Sequence, residues 1–148
     1  MEETKQGRVL GLDYGTRRIG VAMSDPLRIL ATAYGAVENN RLFVNRLKDI
    51  VNEEHISMVV VGMPLSLKGE KTGKAKEAEE FAERLRENLS VDVVFWDERF
   101  TTNIARQTML TMGAKKKQRR DRSGKIDAMA AAVMLQGFLD STKKSMSC

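Results

Sequence analysis

The spacing of apolar and polar positions divides the chain into short elements. Arg8–Asp13 is a run whose four central residues are Val, Leu, Gly and Leu, a short strand closed by the turn Tyr14-Gly15-Thr16. Residues 19–24 form a second apolar run and residues 29–37 a third, with Asp25-Pro26 as the turn between them. Connections this short make the three strands antiparallel neighbours. Asn39 or Asn40 then offers a helix cap, and Phe43, Leu47, Ile50 and Val51 fall on one helical face. Residues 57–62 are almost wholly apolar, as in a strand buried on both faces of a parallel sheet.

A polar, glycine-containing stretch spans residues 66–73. Beyond it Ala78, Phe81, Ala82, Leu85 and Leu89 repeat at helical spacing. Residues 91–96 are a further buried strand. Thr101 or Thr102 can cap a helix that stops at Gly113, and Ser123 opens a last helix running to about Leu139. The tail, residues 141–148, is expected to fray. Meander, helix, strand, helix, strand, helix predicts an α/β fold: one mixed five-stranded sheet, three antiparallel strands then two parallel, flanked by helices in a single domain over residues 1–148.

Charge changes this picture at one place. Between Lys115 and Lys125 there are seven basic residues against one acid, a local net of +6 in a chain of net +5. Such a segment can release counterions from a phosphate backbone, or can be only a solvated loop. The polar N-terminus carries no signal-like apolar core, no run is long enough to cross a bilayer, and Cys148 is the single cysteine. A cytoplasmic protein without disulfides is expected.

Three acids stand where chemistry could use them. Asp13 ends the first strand, Glu98 lies just beyond the fifth, and Asp127 falls near the start of the last helix. Asp13 could merely bond its own turn, and Glu98 could pair with Arg99. Asp127 is harder to dismiss, because its segment is otherwise small and apolar and only Lys125 stands near it in sequence. Acids from distant segments suit Mg²⁺ or Mn²⁺, which take oxygen ligands and are completed by substrate phosphate. A pair of such ions about 3.5–4 Å apart serves in-line displacement at phosphorus. The one histidine, His55, sits at a helix-to-strand turn and reads as a surface residue, which leaves no Ser-His-Asp or paired-histidine site.

The motifs Gly11-Leu12-Asp13-Tyr14-Gly15-Thr16-Arg17-Arg18-Ile19-Gly20-Val21-Ala22, Val61-Gly62-Met63-Pro64-Leu65, Asp97-Glu98-Arg99-Phe100-Thr101-Thr102 and Lys125-Ile126-Asp127 resemble the bacterial YqgF family. That family is described as Holliday-junction-resolvase-like and, provisionally, as a pre-16S rRNA nuclease. The resemblance covers nearly the whole chain in order, with Phe100 where leucine is more usual. It implies a ribonuclease-H-like fold related to the RuvC resolvases, and a metal-dependent nuclease maturing the 5′ end of 16S rRNA. The family's acidic site falls on Asp13, Glu98 and Asp127. It also implies that Gly15 and Thr16 let substrate or metal approach the first turn, that Arg17 or Arg18 meets a phosphate, and that Arg99 holds Glu98 or meets substrate. Lys115, Lys116, Lys117, Arg119, Arg120 and Lys125 would supply the remaining nucleic-acid contacts.

Other readings remain open on sequence. The same chemistry could resolve branched DNA, where a two-fold homodimer would suit two strands better than a monomer. Asp-Tyr-Gly-Thr after a strand also resembles the phosphate loop of actin-like ATPases and sugar kinases, whose second lobe 148 residues do not supply. A non-catalytic RNA-binding assembly protein is the last, with a 5% aromatic content that argues against broad base stacking. Structured RNA or branched DNA is the expected partner, and a membrane is not.

Overall fold

The computed structural model describes residues 7–63, 73–97 and 122–146. Five strands, β1 (Arg8–Asp13), β2 (Arg18–Ser24), β3 (Ala31–Glu38), β4 (Ile56–Met63) and β5 (Asp92–Asp97), form one sheet in the order β3-β2-β1-β4-β5. β1 pairs antiparallel with β2, β2 antiparallel with β3, and β1–β4 and β4–β5 are parallel. This is the mixed sheet expected from the apolar runs.

Alternation along the strands assigns each residue to a face. Leu10, Leu12, Ile19, Val21, Val59 and Val61 point to one face and form a core with α1 (Phe43–Glu53) and α2 (Gly73–Asn88). Val9, Ala22 and Val60 point to the other, where Ala131, Met134, Leu135 and Leu139 of α3 (Arg122–Met146) cover them. β1 is central, so its four middle residues are buried from both sides. The helical faces anticipated on α1 and α2 are the buried ones, with Ala75 added to the second.

Three boundaries depart from expectation for local reasons. β3 begins at Ala31, not at residue 29, because the N–H groups of Ile29 and Leu30 donate to Asp25 Oδ1 at 2.7 and 2.8 Å. The backbone N–H of Leu30, with those of Ile29 and Leu27, also holds the Asp25 carboxyl below its usual range. Neither Asn39 nor Asn40 caps α1. Leu42 takes the cap position with no side-chain bond, while Asn39 Nδ2 donates to Gly15 O (2.9 Å) and Asn40 Oδ1 accepts from Leu42 N–H (2.8 Å). Finally, α3 continues to Met146, past Leu139 and through the stretch expected to fray. The hydroxyls of Ser141 and Thr142 donate back to the carbonyls of Phe138 and Leu139, each at 2.8 Å.

The helix expected between residues 101 and 113 lies outside the described residues, as does most of the polar stretch 66–73. The basic segment lies outside them up to residue 121, whereas Gly124 and Lys125 belong to α3. His55 is exposed at a turn with φ of 56°, as expected for a surface residue. Among the described residues no helix is long and apolar enough to cross a membrane.

Candidate active site

The site is built where β1 ends, β2 begins and the first turns of α3 cross them. Asp13 is the last residue of β1 and shares its face with Val9 and Gly11, the face that α3 covers. On the neighbouring strand Asp13 pairs directly with Gly20. A Cβ on Gly20 would collide with the backbone carbonyl of Asp127 and lie 3.3 Å from the amide of Ala128. The absence of a side chain at Gly20 is therefore what lets the start of α3 rest on the sheet. Residues opposite each other in an antiparallel pair have Cα atoms about 4.5–5.5 Å apart. Through Gly20, Asp127 and Asp13, 114 positions apart in the chain, become neighbours. Gly11 does the same further along, since a Cβ there would come within 2.9 Å of Leu135 Cβ.

Arg18, on the same face of β2 as Gly20, donates from Nε to Asp127 Oδ2 at 3.1 Å. Both side chains keep about a third of their surface in water, 33% for Arg18 and 35% for Asp127. Among the described residues Oδ1 of Asp127 accepts no hydrogen bond. The sequence neighbourhood offers Asp127 only Lys125; the fold supplies Arg18 instead. Asp13 is half-buried and also has a bonding partner.

The turn between β1 and β2 is tightly closed. A Cβ on Gly15 would overlap the carbonyl of Arg18, and Asn39 at the end of β3 fastens the turn by bonding Gly15 O and, through its N–H, Arg17 O (2.8 Å). Thr16 and Arg17, in this turn, are exposed. Lys125, two residues before Asp127 in α3, also has an interaction partner.

Glu98 and Arg99 lie outside the described residues, as do Lys115, Lys116, Lys117, Arg119 and Arg120. β5 ends at Asp97, directly before Glu98. The register matches Leu12 with Val61, and Gly62 with Trp96, so Asp13 and the last residues of β5 share one end of the sheet. Asp97 alternates with Val93 and Phe95, on the face opposite Asp13. The Asp127 backbone therefore lies against Gly20, the residue paired with Asp13, while the third expected acid, Glu98, lies outside the described residues. Among the described residues no three acidic, histidine or cysteine side chains gather as metal ligands.

What local sequence reading misses here is the part played by Gly20 and by the Arg18–Asp127 bond. The signal for the first is faint: Gly11, Asp13, Gly20 and Ala22 alternate onto one face, opposite a helix rich in alanine.

A family model described as RuvX, Holliday junction resolvase, matches residues 7–141. The chain belongs to the RuvX family. Its RuvX relatives include a protein of Sulfurihydrogenibium sp., 39% identical over 135 residues and covering 90% of both chains. Another, from Dictyoglomus turgidum, is 41% identical over 90% of this chain and 94% of its own. Both carry the provisional name pre-16S rRNA nuclease. Among solved structures, Thermus thermophilus RuvC with a Holliday junction substrate aligns over 92% of this chain and 96% of its own, with a TM-score of 0.59 at 14% identity. The fowlpox virus resolvase with Holliday junction DNA aligns over 91% and 98%, with a TM-score of 0.53 at 10% identity. At such identities the likeness is one of fold: this RuvX chain has the RuvC-like ribonuclease-H architecture.

Proposed function

We propose that the protein is a metal-dependent endonuclease that hydrolyses phosphodiester bonds in the 5′ precursor region of 16S rRNA. The reading is supported by the Asp127 backbone packing on Gly20, the residue paired with Asp13, with Arg18 bonded to Asp127 and an exposed Arg17 next to it in the chain. The donor set fits Mg²⁺ or Mn²⁺: carboxylate oxygens at a strand end and in the first turns of a helix, one of them taking no bond among the described residues. Asp13 and Asp127, with Glu98 as the expected third, would hold the ions. A bound divalent cation supplies an activated water and neutralises charge on the phosphoryl oxygens.

The chain's own groups do the rest. Arg18, at the start of β2, fixes one oxygen of the Asp127 carboxylate, so that less reorganisation is needed when ligands assemble. Arg17 is exposed at the mouth of the site and can meet a backbone phosphate. The closed Gly15 turn allows a strand of nucleic acid to come close to the backbone.

The test is cleavage of a labelled pre-16S 5′ fragment by purified protein in Mg²⁺ or Mn²⁺. Cleavage should stop with EDTA and in Asp127→Asn, while binding persists and circular dichroism stays unchanged. The family is described by Holliday junction resolution, so cleavage of a four-way DNA junction is measured alongside. Cleavage of the DNA junction alone would remove the RNA assignment. A folded protein that binds RNA but cuts neither substrate would leave a non-catalytic binder.

A further inference from the structure

The sheet face that carries α1 and α2 has a feature the carboxylates leave unused. Between the outer edge of β3 and the start of α1 lies an open pocket of about 420 Å³, its lining including Tyr34, Ala36, Glu38, Asn40, Leu42 and Arg46. The pocket belongs to the same end of the sheet as the acids. Gly20 pairs with Asp13 on one side and Ala36 on the other, so Ala36 is level with Asp13 two strands away. At about 4.8 Å per strand the two positions are roughly 10 Å apart along the sheet, with Asp13 on the face that α3 covers and the pocket against α1. Asn39 bonds both Gly15 O and Arg17 O, which fastens the rim of the pocket to the turn beside the carboxylates.

The lining has the chemistry of a nucleotide site. Tyr34, 40% exposed, is the exposed aromatic ring among the described residues, and Leu42 beside it is 67% exposed. Arg46 is exposed, and among the described residues neither it nor Arg17 or Arg41 forms an ion pair. Asn40 Nδ2 donates to Glu38 Oε1 at 3.4 Å, which occupies the one acid of the lining. Since β3 pairs among the described residues only with β2, its outer backbone groups can hydrogen-bond a base edge.

A partner protein strand fits this edge less well. The pairing runs Val21 with Gly35 and Ala22 with Ala33, leaving Tyr34 as a bulge. A bulge bends the edge and interrupts the straight ladder that an added strand would need. It also turns the Tyr34 ring out of the regular alternation.

We propose that this pocket takes one unpaired nucleotide of the substrate strand, its base stacked on Tyr34 and its phosphate met by Arg46. The inference rests on the nuclease reading, and it makes a junction between paired and single-stranded nucleic acid the preferred substrate.

Fluorescence anisotropy tests it, with a fluorescein-labelled single-stranded RNA of about 12 nucleotides and a blunt duplex of the same sequence. Tyr34→Ala should weaken single-strand binding about tenfold or more and leave duplex binding unchanged, while Tyr34→Phe binds like the parent. Arg46→Gln should lower the salt slope for the single strand by about 0.7. Parent-like single-strand binding by Tyr34→Ala overturns the pocket alone. The same is true if that variant changes only the mass seen by light scattering, which would make the face an interface between copies. A parent protein that binds neither RNA overturns the nuclease reading along with it.

Discussion

Arg18 and Asp127 are 109 residues apart, and their 3.1 Å bond ties the start of β2 to α3. With about a third of each side chain in water, the pair adds at most about 1 kcal/mol to stability. Its effect on catalysis should be larger, because it orients a carboxylate and brings a guanidinium to the phosphate. Arg18→Gln is expected to move the melting temperature by no more than about 2–4 °C. Cleavage should fall about 10–100-fold, with Arg18→Lys in between because it keeps charge without the planar fork. A parent rate in Arg18→Gln would remove Arg18 from the site. Asp13 and Asp127 stood out in sequence because one ends an apolar strand and the other sits in a segment of small apolar residues. Arg18 was legible only as a cation near a turn. Nothing local marks its partner, since pairing across so many residues is a product of the fold and not of spacing.

Elements were legible in proportion to how completely they are buried. β1 and β4 are covered on both faces, so their apolar runs announce them; α1 and α2 each bury one stripe, which appears as helical periodicity. β3 is an edge strand with few buried residues, and its start was set by Asp25 taking two backbone amides and not by hydropathy. The contact of α3 with β2 was the least legible, because it depends on a missing side chain. Gly20→Ala sets a methyl against the backbone at Asp127, a group that cannot swing aside. The helix start must lift, so the variant should lose about 1–3 kcal/mol in urea denaturation and also lose cleavage as Asp127 leaves Asp13. Gly35→Ala is the control, since a Cβ there meets nothing within 4 Å, and its stability should stay within about 0.5 kcal/mol of the parent. Equal stability for the two variants would mean that Gly20 does not set the helix–sheet distance.

At the scale of the whole molecule, the net charge of +5 is the sum of one segment at +6 and a remainder at −1. The folded sheet and helices bring catalytic geometry but little net attraction for a polyanion, apart from arginines such as Arg17 and Arg46 near the site. Long-range capture of nucleic acid must then depend mainly on residues 115–125. Each phosphate neutralised contributes about 0.9 to the salt slope on duplex DNA and about 0.7 on a single strand. Replacing Lys115, Lys116 and Lys117 together by glutamine should therefore flatten the slope by about 2–3. Affinity at low salt should drop, and KM should rise while kcat holds, because the carboxylates proposed to act on the bond are elsewhere. Filter binding across a salt series and steady-state cleavage measure both effects. An unchanged slope with a reduced kcat would mean that the lysines act at the bond being cut and not in capture, which would reverse the division of labour between the basic segment and the sheet.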